Sequence, residues 1–309
     1  MPDEKVLQVA ILIWGCAFCA IAALCIFLSS NYNREKRRYL VLMESFASLL
    51  LLMDALGHIF SGYPGVPGSV MVRISSFLVF LLSDVVLVCF HIYVCVYLFS
   101  KKEQRTLKRV KAGYVIAAAE AAFVVISQFT HWYYYIDGDN CYHRAPLYIM
   151  SILLPVAGMF IDLTLLLQYK KRVSRKLLFS MLSCVVLLAV AAVVQVFWYG
   201  ISLIDFSVGI SMIIMFIVTM TELNQEMYQL ISREGKIKER LEIATILNKC
   251  IAELISGEDE DAAISNLLRI ISGYFDGDRS YIVQIDEKRN VCTNTYEYAM
   301  NGVTTEKSG

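Results

Sequence analysis

Seven residues able to carry charge or move protons sit where charge is costly. Glu44, Asp54, His58, Asp84, His91, Glu120 and Asp162 each fall inside a long apolar stretch of the 309-residue chain. Ionisable groups in such stretches turn toward one another or toward water-filled space. Asp54 and His58 are four apart and Asp84 and His91 seven apart, so each pair shares one helix face. Acids with two imidazoles suit a proton relay, a cation site or a ligand pocket. They equally suit hydrogen bonds that bridge helices and fix a bundle's register. Asp54, His58, Asp84, His91 and Glu120 form the candidate ligand or proton site. Glu44 and Asp162 lie nearer the opposite face of the apolar layer.

The elements that must hold these residues are apolar helices. The chain is 57% apolar and only 18% charged, too greasy for an ordinary soluble domain. Seven runs approach the roughly 20 residues a membrane helix needs: 6–29, 39–60, 71–99, 112–129, 145–169, 177–199 and 206–222. The first is no cleavable signal peptide, because its start is acidic and six further runs follow. Pro155, with Gly158 nearby, is placed to kink the fifth run beside a cavity.

Basic residues give the orientation. Arg34, Lys36, Arg37 and Arg38, the six bases of residues 100–111, and Lys170, Lys171, Arg172, Arg175 and Lys176 total fifteen on one side. Only Lys5, Arg73 and Arg144 fall on the other. Basic loops stay in the cytoplasm, so the expectation is a multi-pass protein of the cell membrane with its C-terminal part in the cytoplasm. The longest outer loop, "THWYYYIDGDNCYHR" over 130–144, carries aromatics that suit an interfacial belt, with a lid over a pocket as the alternative.

Metal, redox and nucleic-acid chemistry have no support in the pattern. The cysteines lack metal spacing, and Cys16-x-x-Cys19 sits within an apolar run, where thiols act as small hydrophobes. No cofactor is implied. The zero net charge averages a membrane part and a polar tail, residues 221–309, which hold 16 of the 28 acids.

That tail begins with a heptad seam. Leu223, Met227, Leu230, Glu234, Ile237, Leu241, Ala244, Asn248, Ile251 and Ile255 alternate in steps of four and three. Leu223, Met227, Leu230, Ile237 and Leu241 are the candidate signalling-helix seam of a homodimer. From 241 to 256 the alternative of an amphipathic helix packed on its own domain is preferred. Residues 260–275 then place Ala263, Leu267, Leu268, Ile271, Tyr274 and Phe275 on one helical face. "RSYIVQID" and "VCTNTYEY" follow as a β-hairpin with a four-residue polar loop.

This order of helix, helix and hairpin resembles the opening of a GAF domain. "YFDGDRSYIVQID" followed by "NTYEYAMNGVT" is similar to a subtype common in bacterial membrane-bound diguanylate cyclases and related sensors. The match runs through Asn294, Thr295, Tyr296 and Glu297 and returns at Gly302, Val303 and Thr304. It departs at Tyr298 and Ala299, where that subtype has Trp-Cys. The seven-run layout is also similar to the seven-helix input regions ahead of histidine kinases and diguanylate cyclases. The resemblance implies a six-stranded GAF sheet of which two strands are present, and an output domain that this chain does not contain.

The expected fold is therefore mostly α: a seven-helix transmembrane bundle (1–222), a signalling helix with a coiled-coil seam (223–256), and an incomplete α/β GAF-like segment (257–309). The expected function is a transmembrane signal-transduction input module. It senses an extracytoplasmic or intramembrane stimulus, a small molecule or the bilayer itself, and relays it to a GAF-linked output such as cyclic-di-GMP synthesis. No Gly-Gly-Asp-Glu-Phe run, phosphate-cradling glycine loop or cytosolic histidine is present, so the chain is not expected to be an enzyme. A transporter or channel using the intramembrane acids is the alternative. An intramembrane enzyme is disfavoured because no motif such as H-E-x-x-H occurs.

Overall fold

The computed structural model describes residues 2–29, 34–197, 202–256, 259–289 and 291–301. The helices are α1 (Pro2–Leu28), α2 (Arg34–Phe60), α3 (Val66–Leu98), α4 (Lys101–Thr106), α5 (Lys108–Thr130), α6 (Met150–Gln168), α7 (Arg175–Phe197), α8 (Leu203–Ser256) and α9 (Glu260–Tyr274). Two antiparallel hairpins complete the order: β1 (Tyr134–Ile136) with β2 (Tyr142–Arg144), and β3 (Arg279–Asp286) with β4 (Val291–Ala299). All of these helices except α4 and α9 are long and apolar enough to cross a membrane, seven in total among the described residues. That is the make-up of a multi-pass membrane protein. The chain divides into two compact units, Met1–Glu226 and Met227–Gly309.

In the first unit the packing is that of a helical bundle in an apolar solvent. Leu12, Leu50, Leu51, Tyr93, Leu165 and Met181 fill a continuous core and are wholly or almost wholly buried. Trp14, Phe129, Phe179 and Phe197 point outward, each at least 70% exposed. So many large apolar side chains on the outside would be a liability in water and suit acyl chains.

The three basic loops gather at one end of this unit. Lys101 pairs with Glu35. Arg172 donates to Glu103 Oε1 at 3.0 Å and to the Leu98 carbonyl at 2.8 Å. Ser174 bonds Glu222, and Lys176 donates to Gln225 Oε1 at 3.1 Å, which brings α8 to the same end. Helix α4 starts on a capping box, Ser100 with Glu103, which satisfies its first free N–H groups.

A close turn over residues 61–65 joins α2 to α3. Gly65 adopts φ 87°, and Gly68 lies where an added Cβ would meet the Tyr63 carbonyl oxygen at 2.0 Å. That close approach lets α3 fold straight back along α2.

Two helix starts and the outer loop differ from the sequence expectation in ways that bear on the site. The fifth helix starts at Met150 rather than 145, because Ala145 N–H donates to the Tyr133 carbonyl and Leu147 N–H to that of Trp132. Those bonds tie 145–147 to the outer loop. The seventh helix starts at Leu203, so Asp205 lies inside it. The outer loop is not a belt of displayed aromatics. Tyr133 and Tyr134 are buried beside Val124, and Tyr134 stacks on Phe80 and Tyr142 at 5.3 and 5.5 Å. Only Trp132 and Tyr135 stay largely exposed.

In the second unit α9 lies on the β3–β4 hairpin. Ala263, Leu268 and Ser272 are buried there, Ser280 Oγ donates to the Leu268 carbonyl (2.8 Å), and Tyr296 OH donates to Asp261 Oδ1 (2.8 Å). Tyr274 and Phe275 are exposed instead of joining that face, because the helix ends at Tyr274 and Phe275 is its C-cap. A bulge lies opposite Ile282 and Val283, where Tyr296 and Asn294 are the successive partners. Gly302, Val303 and Thr304 lie outside the described residues. The described residues of this unit hold one two-stranded sheet, α9 and the later part of α8.

The seam of α8 also differs beyond Leu241. Leu223 is buried in the bundle, whereas Leu230, Ile237, Leu241, Ile251 and Ile255 are exposed. In the stretch read as packing on its own domain, 241–256, Leu241, Ile251 and Ile255 are exposed while Ile246 and Cys250 are half-buried.

Gly68→Ala is expected to weaken the bundle by about 1–3 kcal/mol, since the turn must open to admit the methyl group. Gly138→Ala, where an added Cβ meets nothing within 4 Å, is the matched control. Unfolding in mixed detergent micelles measures both.

Candidate functional site

A cavity of about 340 Å³ opens between the helices at the end of the bundle that carries the β1–β2 hairpin. Asp54 and His58 reach it from α2, Ser75 and Phe80 from α3, Glu120 from α5, Ile152 and Pro155 from α6, Gln195 from α7, and Asp205 and Val208 from α8. The hairpin supplies Tyr142 and Arg144. Two residues of the hairpin are thus part of the cavity wall.

Asp54 and Asp205 face each other at hydrogen-bond range, from α2 and from the first turn of α8. Around them runs a polar network from a third helix. His58 Nε2 is 3.5 Å from Asp54 Oδ1, 3.1 Å from Ser202 Oγ and 2.8 Å from the Gln8 amide nitrogen. The Gln8 amide also donates to Ser202 Oγ (3.3 Å). Asp54 Oδ2 and Ser75 Oγ are buried without a hydrogen-bond partner.

Gln195 joins the hairpin to α8. Its carbonyl accepts from Arg144 Nη1 (2.9 Å), its side-chain oxygen accepts from Ile204 N–H (2.7 Å), and its amide donates to Tyr148 OH (3.3 Å). The Arg144 guanidinium lies 4.4 Å over the Tyr148 ring. The hairpin itself is held by Asp137. Oδ1 accepts from Cys141 N–H (2.8 Å) and Asp139 N–H (3.0 Å), and Oδ2 meets His143 Nε2 (2.7 Å). The Cys141 N–H and the His143 contact hold the Asp137 carboxyl below the usual carboxylate range.

A second, smaller cavity of about 30 Å³ has room for a water. Asp84, His91, Gly113, Glu120, Pro155 and Asp162 line it. Asp84 and Glu120 face each other across α3 and α5 at hydrogen-bond range, and Glu120 borders both cavities. His91 Nδ1 lies 2.6 Å from Asp162 Oδ1, and His91 Nε2 lies 3.1 Å from the Val110 carbonyl. A carbonyl can only accept, so Nε2 carries a proton. The imidazole sits on bare backbone: a Cβ at Gly113 would meet its Cε1 at 2.4 Å.

The five expected site residues therefore divide. Asp54 and His58 line the larger cavity, Asp84 and His91 the smaller one, and Glu120 both. Asp162, an intramembrane acid outside the candidate set, is the partner of His91. Glu44 is wholly buried beside the Cys19 thiol and borders neither cavity. Sequence reasoning missed Asp205, Arg144, Gln195, Gln8 and Ser202. Asp205 had a readable signal, an acid one residue before an apolar run, where a helix N-terminus favours negative charge. Among the described residues no cluster of His, Cys, Asp or Glu is placed to hold a metal ion.

No family model and no curated protein matches the chain, so the GAF likeness rests on the residues quoted for it.

Gly113→Ala is expected to push His91 off Asp162. It should cost as much as His91→Leu, about 3–5 kcal/mol for stranding one member of a buried pair. Detergent unfolding of both variants checks this.

The hairpin has its own pH dependence. Because the folded Asp137 value is depressed, its contribution is complete above the ordinary carboxylate value of about 3.9 and is lost as pH falls through the folded one. Amide exchange at Asp139 and Cys141, corrected for the intrinsic rate, should stay flat from neutral pH down to about 5. It should speed up in stronger acid, and Asp137→Asn should remove that step.

Proposed function

We propose that this chain is the input module of a transmembrane signalling protein in the cell membrane. The hairpin end faces outward and the basic loops face the cytoplasm, as fifteen basic residues against three favour. A stimulus at the larger cavity changes the position of α8. The signalling helix, 223–256, carries the change through a homodimer to the GAF-like segment, 257–309, and to a linked output. Cyclic-di-GMP synthesis is the output that the resemblance suggests.

The observation that carries this reading is α8 itself. It starts at the cavity with Asp205 and Val208 among the lining residues and continues for 54 residues. Along its later part Leu230, Ile237 and Leu241 stand exposed at heptad spacing. An uninterrupted helix transmits rotation and displacement along its length, and two chains pairing on the exposed seam supply two nearby arrangements to switch between. The partner that fits a self-complementary seam is a second copy of the chain. A transporter needs the cavity but has no use for that seam.

Single cysteines at positions 230, 237 and 241 in membranes should form disulfide dimers, and cysteines at positions 229 and 238 should not. One residue inserted after Gln229 turns the following helix by about 100°. With a diguanylate cyclase domain fused behind the chain, that insertion should abolish or invert regulated output. Equal crosslinking at all positions, or regulated output unchanged by the insertion, overturns the reading and leaves transport through the cavity as the function to measure.

A further inference from the structure

The larger cavity has the chemistry of a receptor for one class of molecule. Three carboxyl side chains border it, from three different helices: Asp54, Asp205 and Glu120. The one guanidinium at its edge, Arg144, donates to the Gln195 carbonyl and stacks on Tyr148. His58 is held within its network of Gln8 and Ser202. The acids therefore outnumber the fixed cations. Two carboxyl groups at hydrogen-bond range in a low-dielectric setting call for a proton or a cation between them.

A second observation concerns polar atoms left unsatisfied in the wall, one of them outside the acids. Asp54 Oδ2 and Ser75 Oγ are buried without a hydrogen-bond partner, and both residues line the cavity. Asp54 is 9% exposed and Ser75 fully buried. Native structures rarely leave such atoms unsatisfied: the carboxylate oxygen calls for a donor, and the hydroxyl for a donor or an acceptor. One part of the wall is apolar, with Val79, Phe80, Leu87, Leu188 and Val208, and serine hydroxyls such as Ser76, Ser83 and Ser151 line another. The volume of about 340 Å³ falls at the lower end of the range for small-molecule sites, about 300–1,000 Å³.

We propose that the larger cavity binds a small organic cation, a protonated amine with a compact hydrocarbon or aromatic body. The ammonium group brings a positive charge to the Asp54–Asp205 pair and N–H donors to Asp54 Oδ2 and Ser75 Oγ. The body of the ligand rests among Phe80, Leu87 and Val208. An anion would meet three carboxyls, and a neutral hydrocarbon would leave both acceptors unpaired. Because Asp205 lies in the first turn of α8, an ammonium inserted between the two acids parts them and so changes the spacing of α2 and α8.

The inference names the ligand class of the input site proposed above, and its test needs no output domain. The full chain is placed in nanodiscs of phosphatidylcholine, whose zwitterionic surface does not concentrate cations. Binding of phenethylammonium and of 3-phenylpropionate is measured by titration calorimetry. Phenethylammonium should bind saturably and at least about tenfold more tightly than 3-phenylpropionate. Asp54→Asn should weaken it by about tenfold or more, as loss of a charge-assisted bond does. Ser75→Ala, a milder change, should weaken it by a smaller, measurable factor. Glu44→Gln, a buried acid outside the cavity, should leave the affinity unchanged. No saturable binding of phenethylammonium up to about 10 mM overturns the inference. Equal affinity for the anion, or an affinity unchanged in Ser75→Ala and in whichever Asp54 variant folds, overturns it as well. Amine binding without seam crosslinks removes only the signalling reading, and seam crosslinks without amine binding remove only this one.

Discussion

A carboxyl group inside an apolar bundle must be given a partner, and much of this bundle's internal arrangement follows from that. Three titratable pairs meet this requirement, each tying two helices. Asp54 with Asp205 joins α2 to α8, Asp84 with Glu120 joins α3 to α5, and His91 with Asp162 joins α3 to α6. Neighbouring residues yield to these contacts. Gly113 has no side chain because the imidazole occupies that space, and Pro155 borders both cavities, where a carbonyl freed from the helix ladder can face polar space. Sliding any of these helices would strand charge or acceptors in hydrocarbon, so the pairs act as register pins as well as a site.

The same pairs line the two cavities. Two of the three are acid with acid, an arrangement that stability alone would not select. Gln195 adds a mechanical link by touching the hairpin through Arg144, the start of α6 through Tyr148, and the first turn of α8 through Ile204. The hairpin, Tyr148 and the first turn of α8 thereby meet at one residue. From there α8 runs on to Ser256, with Leu230, Ile237 and Leu241 exposed along it.

Much of the fold was legible because the physics behind it is local. Runs of apolar residues and the alternation of basic loops gave seven helices, and residues 279–286 and 291–298 read as strands from aromatic and β-branched content. Misreadings fell where tertiary contacts override composition. Tyr133 and Tyr134 look like interfacial aromatics, but a three-residue hairpin turns them onto Phe80 and Val124. Residues 145–149 look like membrane helix, but backbone bonds to Trp132 and Tyr133 claim them for the loop. Asp205 was lost through a boundary set three residues late. Arg144 and Gln195 carry no sequence signal, since their role comes only from what they reach.

By itself the sequence determined the class of the protein and the identity of its costly groups: apolar helices in number, basic loops in alternation, ionisable residues within the helices, and a heptad seam after the last of them. Those are consequences of periodicity and of the energy of moving charge out of water, which one chain segment expresses alone. Only the tertiary structure decided which acid meets which, because pairing depends on how helices far apart in sequence are rotated toward one another. It brought Asp205 to Asp54 across about 150 residues of chain, gave His91 to Asp162 rather than to Asp84, and left Asp54 Oδ2 and Ser75 Oγ without partners beside an open cavity.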